Sequence, residues 1–180
     1  MKPAVPVITA TLAVLAVPAS ALPVPARSDD AAATAVQSSP WQHPREGLLT
    51  GGQPAATDWA ALKAQGVTTI VNLRPRAETP DRDEAAEVAA AGMAYVELPI
   101  AGADDITPDN ARRLWTLLKL SPASVLVHCA SGNRVGALLA LGAARSGGVP
   151  ADTALEFGRS AGLRGLAPVV RERLGLPPAQ

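Results

Sequence analysis

The residues with the clearest capacity for chemistry lie in one run, His128-Cys129-Ala130-Ser131-Gly132-Asn133-Arg134-Val135-Gly136, which holds the single cysteine of the 180-residue chain. The run falls where an apolar strand ends and an apolar helix begins, the crevice position at which open α/β sheets bind ligands. Ala130, Ser131, Gly132 and Asn133 are small or polar, so successive backbone N–H groups can turn inward as a concave anion nest. The helix that follows adds unpaired N–H groups and the positive end of its dipole. Arg134 supplies a planar fork suited to a phosphoryl group. A thiol set between a helix N-terminus and a guanidinium is favoured as thiolate, the nucleophilic form. Thiolate and tetrahedral-anion cradle together are the requirement for attack on phosphorus through a cysteinyl-phosphate intermediate. A buried, inert cysteine at a strand end is the plain alternative. Against it stand the turn of small residues, the arginine and the helix.

Arg74 is a second candidate. It ends another core strand at the same edge of the sheet as Cys129, where it can contact substrate or pair with Glu78 as a structural ion bridge.

Alternating strands and helices position these residues. Leu48-Leu49 reads as a short strand closed by Gly51-Gly52-Gln53-Pro54, and Thr57 as the N-cap of a helix from Asp58 to Gln65. Val67 to Leu73 is β-branched and nearly continuous, as in a strand covered on both faces. A helix over about Arg82 to Ala91, a strand from Met93 to Leu98 and a helix capped by Thr107-Pro108 and running to Leu120 follow. Asp81-Arg82-Asp83-Glu84 reads as a solvated helix start. Ser124 to His128 is the central strand before the cysteine. Arg134 to Arg145 is apolar nearly all round, the mark of a buried helix. Helices over Ala151 to Ala161 and Leu166 to Leu174 end the chain. The fold class is α/β, with a central, mostly parallel sheet flanked by helices.

Composition narrows the field. Sixteen basic against sixteen acidic residues give no net charge, which argues against a nucleic-acid partner. Aromatics make up 3% of the chain, too few for sites built on ring stacking. One Cys and two His exclude a disulfide framework and a four-ligand Cys/His zinc site. Residues 1–21 read as an export signal: Lys2, an apolar stretch from Val5 to Val17, and the small-x-small pattern Ala19-Ser20-Ala21. Pro6 and Pro18 shorten the apolar run below a comfortable membrane span, so no stable span is expected after cleavage. Residues 22–40 read as a flexible linker, and residues 41–180 as the folded domain. The expected localisation is exported, periplasmic or secreted.

The loop resembles the signature of cysteine-based protein tyrosine and dual-specificity phosphatases. It is most similar to the bacterial group typified by the phosphatase domain of beta-lactamase-hydrolase-like proteins. Leu49-Thr50-Gly51-Gly52-Gln53-Pro54, Gly66-Val67 leading to Ile70-Val71-Asn72-Leu73-Arg74, and Tyr95-Val96-Glu97-Leu98-Pro99-Ile100 carry the likeness through to about Leu174. The resemblance implies a phosphatase-like domain over residues 41–180, with a phosphate loop between the last core strand and a buried helix. It implies Cys129 as nucleophile, Ala130 to Asn133 with Arg134 as phosphate cradle, and His128 as the residue that orders the loop. It further implies an aspartate from the loop Ala101 to Ile106 as general acid, Asp105 before Asp104. A phosphorylated substrate is the expected partner, and neither metal nor organic cofactor is required.

Two departures bear on chemistry. Four residues separate Cys129 from Arg134 where the phosphatase loop commonly has five, which approaches the loop of sulfur-carrying rhodaneses. Val135 also replaces the hydroxyl residue that assists phosphoenzyme breakdown. A rhodanese-like sulfurtransferase and a non-catalytic phospho-ligand module are therefore the rival readings.

Overall fold

The computed structural model describes residues 40–121 and 123–179. The expected export signal, and the expected linker up to residue 39, lie outside the described residues. Eleven principal elements run β1 (Gln42–Arg45), β2 (Leu48–Gly51), α1 (Trp59–Ala64), β3 (Val67–Asn72), α2 (Glu84–Ala90), β4 (Ala94–Glu97), α3 (Pro108–Leu120), β5 (Ser124–His128), α4 (Asn133–Gly147), α5 (Ala151–Ser160) and α6 (Ala167–Leu174). The sheet order is β1-β2-β5-β3-β4. β2, β5, β3 and β4 pair in parallel, and only β1 pairs antiparallel, with β2. The α/β architecture expected from the alternation is the one observed.

Strand alternation divides the core between two faces. Leu48, Val71, Val125 and Val127 pack with Leu114, Leu138, Leu139 and Leu155 from α3, α4 and α5. Leu49, Ile70 and Leu126, one residue out of phase, pack with Trp59, Leu62 and Val88 from α1 and α2. The central strands β3 and β5 therefore carry apolar residues on both faces, which is why they read as nearly continuous runs rather than alternating ones. α4 crosses one face with Val135 to Ala143 all buried. Gly136 and Gly158 bring α4 and α5 into near-contact: a Cβ on Gly136 would lie 2.5 Å from the Gly158 carbonyl.

Two local expectations are corrected, and one strand is added. β1 escaped the sequence reading because Gln42-His43-Pro44-Arg45 has no apolar run; an edge strand tolerates its proline. Thr57 does not cap α1 but lies inside a 3-10 turn, Ala56–Asp58. Asp58 instead closes that turn, its carboxylate accepting from the Ala55 N–H at 2.8 Å. The Asp81–Glu84 segment is not a solvated helix start. Only Asp83 acts as expected of an N-cap, accepting from the Ala86 N–H. Arg82 pairs with Glu87 at 2.6 Å and lies 5.6 Å over the Trp59 ring, while Glu84 is 3% exposed. The charge run conceals two inward-facing residues that its composition does not distinguish from the outward ones. Among the described residues no helix is long and apolar enough to cross a membrane.

Candidate active site

β2, β3 and β5 end together: Gly51 and Asn72 both stand opposite His128 in the sheet register. Cys129 follows at once, buried, its N–H donating to the Gly51 carbonyl. The loop then turns through Gly132 at φ +85°, a left-handed conformation that glycine adopts without a steric cost. That turn aims the Gly132 N–H at Cys129 Sγ, 3.1 Å away. Gly132 also begins α4, whose first-turn N–H groups have no intrahelical partner. The sulfur therefore accepts from the Gly132 amide at a helix N-terminus.

The Gly51-Gly52-Gln53 segment forms a second wall. Gly52 bridges to Ser131, and the Gln53 N–H donates to the Ala130 carbonyl at 3.4 Å. Side chains extend the frame on the other side: Asn133 Oδ1 accepts from the Arg164 and Leu166 N–H groups, at 2.8 and 3.2 Å. Asn133 thus ties the loop to the α5–α6 connection with its side chain.

Arg134 is held from behind. Its Nη1 and Nη2 donate to the two carboxylate oxygens of Glu78, at 2.6 and 2.8 Å, and Nη1 also donates to the Ile100 carbonyl at 2.6 Å. The bond to Glu78 raises the arginine's pKa above its ordinary value; burial opposes this, and the nearby Cys129 sulfur adds to it. Glu78 is pulled down to about 2, first by the Arg134 bond, against burial, with Arg74 contributing. Arg74 joins the same carboxylate through Nε at 3.0 Å and reaches Gln53 Oε1 through Nη1 at 2.8 Å. Arg74 therefore takes the ion bridge with Glu78, one of its two expected roles.

His128 is fully buried, with Nε2 2.7 Å from Glu84 Oε1. The two atoms face each other at this distance, while His128 Nδ1 has no hydrogen-bond partner among the described residues, so the imidazole is directed at Glu84 and is not, as expected of it, hydrogen-bonded to the loop. Burial drives the Glu84 pKa upward, but His128, Gln53 and Arg82 outweigh it and the net shift is downward. Glu78, Gln53 and Glu84 complete the site's polar frame. Sequence reasoning took Glu78 only as a partner for Arg74, and saw no role for Glu84. Only the Gly51-Gly52-Gln53-Pro54 turn offered a signal, through the family likeness.

Asp104 and Asp105 occupy a 3-10 turn, Ala103–Asp105, in the loop after β4. Asp104 is exposed, whereas Asp105 Oδ2 accepts from the Ala101 N–H at 2.7 Å. Thr107 caps α3 as expected, its hydroxyl accepting from the Asn110 N–H. α6 reaches this loop through Arg173 Nη2, 3.1 Å from the Ala103 carbonyl. Val135 is buried in the core.

A buried thiol at a helix N-terminus, an arginine clamped beside it and a parallel sheet beneath define the architecture of the cysteine-based phosphatases. The model of the beta-lactamase hydrolase-like protein, phosphatase-like domain, matches residues 45–146, and the chain belongs to that family. Beta-lactamase hydrolase-like proteins of Agrobacterium fabrum and Xylella fastidiosa are each 33% identical over 121 residues, covering 65% of this chain and 28% of theirs. The chain thus spans under a third of the length of these relatives. Solved structures share the fold. A candidate phosphatase from Neisseria meningitidis superposes with TM-score 0.63 at 24% identity, covering 74% of this chain and 94% of that one. Tk-PTP gives 0.59 at 18%, covering 76% and 96%. Pseudomonas aeruginosa TpbA, a cysteine-to-serine variant in complex with pTyr, gives 0.52 at 21%, covering 77% and 98%.

Proposed function

We propose that this protein is an exported cysteine-dependent phosphatase that hydrolyses phosphomonoesters. The observation that carries the reading is the placement of Cys129 Sγ below the Gly132 N–H with Arg134 fixed beside it by Glu78. In the first step the Cys129 thiolate attacks phosphorus, an S–P bond forms and the bond from phosphorus to the leaving oxygen breaks. Loop amides and Arg134 carry the charge that gathers on the non-bridging oxygens. An aspartic acid protonates the leaving oxygen. In the second step water attacks the cysteinyl phosphate, the same carboxylate takes the water proton, and phosphate and thiolate separate.

Asp104 is the better placed of the two acids, because its carboxylate faces solvent while that of Asp105 holds the Ala101 N–H. Asp104→Asn should then slow esters with poor leaving groups far more than activated aryl esters. Asp105→Asn should act equally on both, through the loop. The reverse pattern would assign the acid to Asp105.

Phosphate release from an aryl phosphate and from phosphotyrosine, assayed with reduced protein, tests the reading; the pTyr complex of TpbA recommends the second substrate. Release should vanish in Cys129→Ser and fall by about a hundredfold or more in Arg134→Ala, the scale for loss of a transition-state donor. Thiosulfate-to-cyanide sulfur transfer is run alongside, because the four-residue spacing favours that rival. Sulfur transfer without phosphate release would replace the proposal. Export is tested by sequencing the N-terminus of the secreted or periplasmic protein, which should begin at Leu22.

A further inference from the structure

Glu84 is a buried carboxylate that the chemistry above does not use. It lies at the start of α2, 3% exposed, and its neighbours come from four separate segments. Oε1 lies 2.7 Å from His128 Nε2, at the end of β5 and next in sequence to Cys129. Oε2 accepts from Gln53 Nε2 at 2.9 Å and from Asn72 Nδ2 at 3.4 Å. Asn72 in turn donates to the Tyr95 hydroxyl at 2.8 Å. Arg82, on the segment leading into α2, adds a further electrostatic pull after His128 and Gln53.

Two paths leave this carboxylate. One reaches the imidazole of His128, the residue next in sequence to Cys129. The other runs through Gln53 to Arg74 at 2.8 Å, through Arg74 to Glu78 at 3.0 Å, and through Glu78 to Arg134. The Gln53 N–H also holds the Ala130 carbonyl of the loop. Burying a carboxylate costs several kcal/mol unless its oxygens are bonded, so such a group sits only where its partners fix it.

We propose that Glu84 is a positioning residue of the active site: one buried carboxylate sets both the imidazole beside the nucleophile and, through Gln53, Arg74 and Glu78, the arginine that receives the anion. The proposal rests on the assignment of Cys129 and Arg134 made above. Its function is register. Thiol and guanidinium reach the site on different elements, and the shared anchor keeps their separation constant.

The test compares Glu84→Gln with Glu87→Gln, a control on the same helix whose carboxylate binds Trp59 and Arg82 away from the site. Alkylation of Cys129 is followed with iodoacetate and with neutral iodoacetamide, and the ratio of the two rates reads the anion cradle beside the thiol. Thermal unfolding is followed in parallel. Both variants should unfold at lower temperature. Glu84→Gln should lose about tenfold or more of the iodoacetate preference and of kcat/KM, the scale of a lost charged hydrogen bond, and Glu87→Gln neither. Gln53→Met, at a half-buried position, breaks one path alone and decides the matter should Glu84→Gln fail to fold. It should lower the ratio with a smaller fall in unfolding temperature than Glu84→Gln, since Asn72 still donates to the same oxygen. A wild-type ratio and wild-type kcat/KM in Gln53→Met and in any folded Glu84→Gln would overturn the proposal. Alkylation needs no turnover, so a protein that releases no phosphate yet shows the Glu84-dependent ratio would remove the phosphatase reading and leave this one standing.

Discussion

At the scale of single residues the site is a problem in holding charges. In the proposed mechanism Arg134 meets an incoming dianion, and Glu78 aligns its guanidinium by bonding to both Nη groups. Glu78→Gln should therefore lower kcat/KM by about tenfold to a hundredfold through loss of a bidentate charged pair, with Cys129 intact. Steady-state kinetics on an aryl phosphate checks this. The same pair gives an acid-stability signature. The Glu78 pKa falls on folding from 4.5 to about 2, so its stabilisation is complete above pH 4.5 and is lost as the pH drops toward 2. Urea unfolding of wild type and Glu78→Gln should differ most above pH 4.5 and converge below it.

At the scale of elements, α4 has to bring its N-terminus under the loop while filling one face of the sheet. Glycines make that placement possible. A Cβ on Gly158 would come within 2.6 Å of the Gly136 carbonyl and 2.7 Å of the Ala140 Cβ. Gly158→Ala should push α5 away from α4 and cost about 1–3 kcal/mol, as overpacking does; denaturant unfolding measures it. Asn133 joins the same helix end to the Arg164 and Leu166 amides. Asn133→Ala leaves two backbone donors unbonded and should cost about 1–2 kcal/mol, with a rise in KM as the loop loses its outer support. A KM unchanged from wild type would show that the loop is braced from the Gln53 side alone.

At the scale of the whole molecule, two apolar faces on one sheet leave the strand ends as the place where polar groups converge. The lone cysteine sits there, and no second thiol in the chain can capture its oxidised form. Hydrogen peroxide should inactivate the protein, reversibly by added thiol at the sulfenic stage and irreversibly beyond it. Inorganic phosphate, by occupying the loop, should slow that loss; a time course with and without phosphate is the check. The family relation extends over residues 45–146, and the described helices α5 and α6 continue past that match. These two helices pack on α4 and carry Leu155 and Val170 into the core, with Leu163 added from the connection between them.

The sequence by itself marked out one local candidate site and determined the class of fold. Cys129, the small residues after it and Arg134 are consecutive, and a local run states its own geometry once strand and helix flank it. Apolar periodicity likewise determined the α/β alternation, because burial on two faces leaves a continuous pattern in β3 and β5. Tertiary structure decided the rest. Glu84 stands in a charge run that looks solvated, and only the packing of α2 against the sheet turns it toward His128 and Gln53. Glu78 reaches Arg134 across 56 positions of sequence. No local pattern encodes such partnerships, since a carboxylate's role depends on which distant cation the fold brings to it.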